Sequence, residues 1–177
     1  MAMTPANPFR RLFAYAVDWY VCTMLCGAPL MLVNSMRTGL AEIDTSLPPG
    51  AEGYLWGLIA FAVGAAYYLL FPVFWHGQTP GKRLFRLRIV TDGGKTPGAG
   101  ALALRQLAGV LLLEGAVAFP SQLLRELLAR AAGDGAANLV RIAMVALTVI
   151  SICLGLYTPG RRMLHDFISG TREVSAA

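Results

Sequence analysis

The chain has 177 residues, of which 56% are hydrophobic and only 14% are charged. A soluble domain usually carries about 25% charged residues, so this composition excludes an ordinary water-soluble domain and indicates a protein surrounded largely by lipid. The net charge of +5 comes from basic residues between the apolar blocks, which indicates a basic membrane face and not a nucleic-acid interface.

Four apolar blocks approach or reach the ~20 residues that a helix needs to cross a hydrocarbon core about 30 Å thick. They lie approximately at 12–33, 54–75, 101–119 and 139–157. The sequence therefore predicts an all-α membrane protein, a bundle of four transmembrane helices that forms a single domain over 1–177. The first block follows Arg10 and Arg11 but exceeds 20 residues and lacks a cleavage site, so we interpret it as a retained span and not as a signal peptide.

The loop after the second block contains two local signals. Arg86–Thr91 is typical of a short strand or a basic amphipathic segment, and Asp92-Gly93-Gly94 is a turn that could close a small hairpin. Before them, Thr79-Pro80-Gly81-Lys82-Arg83 predicts a turn at the membrane surface. There proline fixes φ, glycine permits a positive φ and the cations meet anionic lipid headgroups.

Pro120 should kink or end the third helix, and Ser121 is a suitable cap for a second helix that follows. Residues 121–132 carry an apolar stripe with charged residues opposite. This pattern fits a helix in the outer membrane interface, and it fits equally a tilted extension of span three.

The distribution of basic residues predicts the orientation. Eleven of the 15 Lys and Arg residues fall on one side of the four spans, including those of the loop 76–100. The positive-inside rule then places both termini in the cytoplasm of a multi-pass protein of the cell inner membrane.

One internal correspondence predicts two degenerate helical hairpins in the same orientation. Span four leads into Thr158-Pro159-Gly160-Arg161, which matches Thr79-Pro80-Gly81-Lys82 after span two. Each hairpin also begins with an arginine, Arg11 or Arg105, followed by an acid, Asp18 or Glu114.

Ionisable residues inside membrane helices are expensive, and they usually pair, protonate or line a polar path. Asp18 lies roughly 10 Å inside the layer at 1.5 Å per residue, and either Arg11 or Arg105 could be its partner. Glu114 lies near the middle of span three, with its protonation state open. His165 and Asp166 form a weak proton-relay signal for which capping or ion pairing is the simpler reading.

Three motifs together resemble the RDD family of integral membrane proteins. Arg11-Leu12-Phe13-Ala14-Tyr15-Ala16-Val17-Asp18 resembles the family's opening signature. Thr79–Arg83, followed by Leu87–Val90 and Asp92-Gly93, resembles its central loop, and Leu164–Thr171 resembles its closing motif. The resemblance implies that Arg11, Asp18 and Asp166 are the family's named residues, and it implies transport, including cation/proton antiport, for some members.

Two functions remain open at this point. The first is a small transporter, or an accessory to one, with Arg11, Asp18 and Asp166 at an inner gate and Glu114 as a midplane proton site. The second is a structural or assembly protein whose charges lock helices together and bind lipid, with a homo-oligomer or another membrane protein as partner. No nucleophile–base set, metal-ligand cluster or cofactor motif is present in the sequence, so we expect neither an enzyme nor a bound metal or cofactor.

Overall fold

The computed structural model describes residues 6–158 and 160–176. The helices are α1 (Pro8–Thr38), α2 (Ala51–Phe74), α3 (Pro80–Leu84), α4 (Ala99–Leu113), α5 (Phe119–Ala132), α6 (Asp134–Tyr157) and α7 (Leu164–Ser169). Two short strands, β1 (Leu87–Thr91) and β2 (Thr171–Ser175), complete the fold.

Three helices, α1, α2 and α6, are long and apolar enough to cross a membrane. They contain the predicted spans 12–33, 54–75 and 139–157 apart from Trp75, which caps α2. Helix α1 begins where the side chain of Asn7 accepts a hydrogen bond from the Phe9 N–H at 2.9 Å. It ends at Gly39, whose φ of 70° only glycine adopts without strain.

The predicted span 101–119 is wrong as a single regular helix. Helix α4 has π-helical geometry from Leu104 to Leu113 and ends at Glu114, and the chain is not helical again until Phe119. Pro120 contributes to this break, because it has no N–H to continue the preceding helix, and it lies instead in the first turn of α5, where that N–H is not needed. Four regular spans are therefore not established.

The segment 121–132 belongs to a separate helix, α5, and the choice between an interfacial helix and a tilted extension of span three stays a prediction. Helix α5 packs against α2 and α6. Ser121 does not cap it, because Ala118 is at the N-cap position and the Ser121 hydroxyl donates instead to the carbonyl oxygen of Leu111 at 2.7 Å. Its buried residues include Leu123 and Leu127, which face the neighbouring helices.

The strand in the loop after α2 is present, but its partner is not the one that the sequence predicts. Strand β1 pairs antiparallel with β2, so that Leu87 lies opposite Ser175 and Thr91 lies opposite Thr171. Asp92-Gly93-Gly94 turns the chain without closing a hairpin of two strands. A strand pairing between residues 80 to 88 positions apart depends on tertiary packing. The all-α class is therefore corrected to a helical protein with one small sheet.

Two apolar clusters hold the long helices together. One contains Cys22 and Cys26 of α1, Tyr67 and Tyr68 of α2, and Leu111 of α4. The other joins α1, α2 and α5. The close approach of α1 and α5 to α2 requires Gly64, because a Cβ there would collide with the ring of Pro120 and the Sγ of Cys26.

Candidate functional site

Four buried charged residues and one partly buried lysine meet at the end of the molecule where α1 begins and β2 lies. We call this group the ionic clamp. It brings together Arg11 of α1, Lys82 of α3, Arg105 of α4, Asp166 of α7 and Glu173 of β2. The clamp therefore joins one residue from each of five separate elements.

Asp166 is fully buried between two arginines. Its Oδ2 accepts a hydrogen bond from Arg11 Nη2 at 3.0 Å, and its Oδ1 accepts one from Arg105 Nη1. Oδ2 also accepts the backbone N–H of Met163 at 2.9 Å, which caps α7. The Asp166 carboxylate thus fixes the short helix α7 to both α1 and α4.

Glu173 is the second carboxylate of the clamp, and the sequence did not single it out. Lys82 Nζ lies 2.7 Å and Arg105 Nη2 lies 3.1 Å from its Oε1. Arg11 Nε lies 2.7 Å from its Oε2, an ion pair in which the N–H does not point at the oxygen and makes no hydrogen bond. The only sequence signal for this role is the alternation in Thr171–Ser175, which turns Glu173 inward beside the buried Thr171.

Burial alone would raise the pKa of both clamp carboxyls, because it disfavours the charged form. For Asp166 the positive charges of Arg105 and Arg11 outweigh burial, and its pKa lies below the ordinary value. For Glu173 the charges of Lys82, Arg11 and Arg105 hold the pKa well below the ordinary value. Both groups are therefore ionised at neutral pH and paired with cations.

The clamp continues to Glu114 through His165. Arg105 Nη2 lies 3.0 Å from His165 Nε2, and because arginine has only donors, Nε2 is the acceptor. The ring proton is then on Nδ1, which donates to Glu114 Oε2 at 2.8 Å. The His165 backbone N–H donates to Glu114 Oε1 at 2.7 Å, so both oxygens accept N–H donors, as an ionised carboxylate does.

Asp18 is buried away from the clamp, and the predicted pairing with Arg11 or Arg105 is wrong. Its Oδ1 accepts the hydroxyl of Tyr67 at 2.7 Å and the backbone N–H of Gly81 at 2.8 Å. Its Oδ2 accepts the hydroxyl of Thr79. In the described residues it has no cationic partner, so neutral donors alone compensate for its burial.

The contact with Asp18 gives Thr79-Pro80-Gly81 a role different from the surface turn that the sequence predicts. Thr79 caps α3 by accepting from the Lys82 N–H at 3.3 Å, and Pro80 opens the helix. Gly81 is inside the helix and not at a positive φ. It is required because a Cβ there would collide with the Ala14 carbonyl oxygen and the Asp18 carboxylate. The motif docks α3 onto α1, whereas Lys82 enters the clamp and Arg83 stays exposed.

The second copy of the motif is less regular. Thr158 accepts from the Arg162 N–H at 3.1 Å, and Arg161, at a left-handed φ of 49°, offers its carbonyl oxygen to Arg11 Nη1. Gly160 is exposed, and Pro159 lies outside the described residues. Asp18 accepts the N–H of Gly81 inside the first motif, whereas Glu114 accepts the N–H of His165 in α7, after the second motif. The relation of two hairpin repeats stays a prediction.

The break between α4 and α5 exposes carbonyl groups that side chains then bind. Arg125 donates to the carbonyl oxygens of Gly115 at 3.0 Å and Ala116 at 3.3 Å. The indole N–H of Trp19 donates to the backbone carbonyl oxygen of Val117 at 2.8 Å, and the hydroxyl of Thr148 donates to the backbone carbonyl oxygen of Glu114 at 3.0 Å. A broken helix in an apolar protein interior needs such replacements for its lost backbone hydrogen bonds.

The structure thus brings five of the six predicted ionisable site residues together, in the clamp or joined to it: Arg11, Arg105, Glu114, His165 and Asp166. Asp18 occupies a separate site. Within residues 6–158 and 160–176, no group of three His, Cys, Asp or Glu residues could hold a metal ion.

Comparison with known proteins gives one match. The sequence model of the RDD family matches residues 5–170, which is nearly the whole chain. No curated protein and no solved structure matches this sequence. The match contains the first two motifs, the third except for Thr171, and the residues of the clamp except Glu173. The chain therefore belongs to the RDD family and is a membrane protein.

Proposed function

We propose that this chain is a small multi-pass protein of the cell inner membrane with a structural or assembly role. In this role the ionic clamp locks the cytoplasmic ends of the helices together, and the basic loops around it bind anionic lipid headgroups or a membrane partner. Helices α1, α2 and α6 each cross the bilayer. The discontinuous segment from α4 to α5 makes the third crossing, and both termini are cytoplasmic.

The observation that carries this proposal is the balance of charge in the buried cluster. Arg11, Lys82 and Arg105 supply three cations, and Asp166, Glu173 and Glu114 supply three carboxylates. Each of these groups is bonded to another member of the cluster or to His165. Within this cluster of described residues no charge is left over to bind a cargo ion, which favours a fixed joint between helices over a substrate gate.

The crossing by α4 and α5 is supported by contacts at opposite ends of the pair. Arg105 in α4 meets Asp166 in the clamp, whereas Arg130 in α5 donates to the carbonyl oxygens of Leu47 and Pro48 in the loop between α1 and α2. Basic residues cluster at the first of these ends, which the positive-inside rule assigns to the cytoplasm.

A double-mutant cycle tests the clamp. We expect Arg105→Gln and Asp166→Asn each to reduce the stability of the purified protein in detergent by about 3–5 kcal/mol, because each leaves a buried charge unpaired. The double variant should lose much less than the sum of the two, because the residues contact each other. The stabilities are measured by denaturant or thermal unfolding. Additive losses would show that the clamp does not join the helices.

Transport is the second candidate, and the broken helix favours it. Discontinuous helices with ionisable groups at the break are typical of transporter binding sites, and Glu114 with His165 lies at this break. The assay uses sealed liposomes with an imposed pH gradient and Na⁺, K⁺ or Li⁺ added in turn. We expect no cation-dependent proton movement from folded wild type. Movement that Glu114→Gln abolishes in a folded variant would replace the structural role with antiport.

A further inference from the structure

An apolar groove of about 350 Å³ runs along the surface between α1 and α2. It is lined by aliphatic side chains, among them Leu25, Val63 and Leu70, and by the rings of Tyr67, Phe71 and Trp75. Between Val63 and Trp75 the helix rises about 18 Å at 1.5 Å per residue. Half of a hydrocarbon core is about 15 Å thick, so the groove matches the depth of one bilayer leaflet.

The aromatic residues of the groove are held rigidly. The rings of Tyr67 and Phe71 are 5.1 Å apart and those of Phe71 and Trp75 are 4.7 Å apart, which makes a continuous ladder of edge and tilted contacts. The Tyr67 hydroxyl is anchored on the buried Asp18 at 2.7 Å. A preformed wall of this kind lowers the entropy cost of binding a flexible chain.

The side chain of Arg83 lies at the Trp75 end of the ladder. The guanidinium of Arg83 lies 4.9 Å from the centroid of the Trp75 ring, and its side chain is exposed. Within the described part of the chain this side chain makes no hydrogen bond or ion pair, unlike its neighbour Lys82, which pairs with Glu173. Its donors are therefore free for an anionic group, and the fork geometry of guanidinium matches a phosphate.

We propose that the groove and Arg83 together bind one anionic phospholipid molecule. An acyl chain lies in the groove from Trp75 to Val63, against the aromatic ladder. The headgroup phosphate accepts hydrogen bonds from Arg83. This inference rests on the proposed function, because it needs the end of α2 at the cytoplasmic headgroup layer. It adds a defined lipid site to the general attraction between basic loops and an anionic surface.

The test measures lipid binding to the full-length protein in detergent, by native mass spectrometry, with phosphatidylglycerol as the probe and phosphatidylcholine as the zwitterionic comparison. We expect one tightly bound phosphatidylglycerol per chain. Arg83→Gln should weaken its binding about tenfold, because a charge-assisted contact is lost. Arg88→Gln is the matched control, because Arg88 is also exposed and basic but lies on β1. It should bind as wild type does.

A second variant tests the groove. Leu70→Trp fills it with a larger side chain and should abolish the tightly bound lipid, and glycerol phosphate, which has no acyl chain, should not compete for the site. Equal weakening by Arg83→Gln and Arg88→Gln would overturn the site in favour of a diffuse basic surface. Effective competition by glycerol phosphate would overturn the acyl-chain part.

Folding is checked by the melting temperature of each variant in lipid-free detergent, so that only variants that melt as wild type does are compared. If Leu70→Trp does not pass this check, Ala66→Leu fills the same groove with an aliphatic side chain at a different position. The proposed function fails on a different measurement, the liposome assay on the wild type. Loss of the lipid site with no ion movement would therefore reject this inference alone.

Discussion

At the scale of single residues, identity matters most where two backbones or a backbone and a carboxylate come together. Gly81 is the clearest case, because α3 approaches α1 so closely that its N–H reaches Asp18 and no side chain fits between them. Within the part of the chain that the structure describes, Asp18 in turn has three donors and no cation. These two residues act as one contact, which positions Lys82 for the clamp one residue later.

We expect Gly81→Ala to lower stability by about 1–3 kcal/mol, because the added methyl group forces α3 away from α1. Gly100→Ala is the control, since it adds the same group inside α4 where nothing lies within 4 Å. Thermal unfolding in detergent compares the two. An unchanged melting temperature for Gly81→Ala would mean that the close approach is not present in the protein.

At the scale of elements, the discontinuous pair α4 and α5 distinguishes this fold from a simple bundle. The chain between them gives up backbone hydrogen bonds, and side chains from three helices replace them: Trp19 of α1, Thr148 of α6 and Arg125 of α5 itself. Arg125 therefore has a structural role at the break. From the sequence it belonged to the charged face of a predicted interfacial helix.

We expect Arg125→Gln to destabilise the protein by about 1–3 kcal/mol, because the carbonyl groups of Gly115 and Ala116 lose their donor. Arg141→Gln is the matched control. Arg141 is exposed on α6 and makes no hydrogen bond within residues 6–158 and 160–176. Stability is measured by unfolding in detergent, and hydrogen exchange should localise the loss to residues near the break. Equal effects of the two substitutions would contradict this account.

At the scale of the whole molecule, the clamp ties the first helix to the last strand and so closes the chain on itself. Asp166 is 155 residues from Arg11, and Glu173 is still farther along the sequence. The stability that the clamp contributes to the fold depends on pH in a defined direction. Because the pKa values of Asp166 and Glu173 are lowered in the fold, their contribution is complete above the ordinary carboxyl values and is lost as pH falls through the lowered ones.

We therefore expect the melting temperature of wild type to exceed that of Glu173→Gln by a constant amount from pH 8 to about pH 5. The difference should shrink below about pH 4, where the free carboxyl group takes up a proton. Glu42→Gln, which changes an exposed carboxyl of the loop between α1 and α2, should melt as wild type does at every pH. A difference that stays constant down to pH 3 would show that Glu173 is not an ionised member of the clamp.

The sequence by itself determined the properties that depend on local composition. Apolar length predicted the three long helices, and the ordered motifs identified the RDD family before any contact was known. The same motifs pointed to Arg11, Asp18 and Asp166, since charged residues beside or inside apolar segments stand out. A lipid environment makes these signals strong because it tolerates few charges.

Only the tertiary structure decided which charges meet. Asp18 has neutral partners from α2 and α3, Glu173 joins three cations, and β1 pairs with β2 instead of with a neighbouring segment. Pairing between distant segments depends on how helices pack, and sequence spacing within one helix carries no information about it. The break after Leu113 was hidden for the same reason: its cost is offset by donors from other helices, which only the folded chain brings to the exposed carbonyl groups.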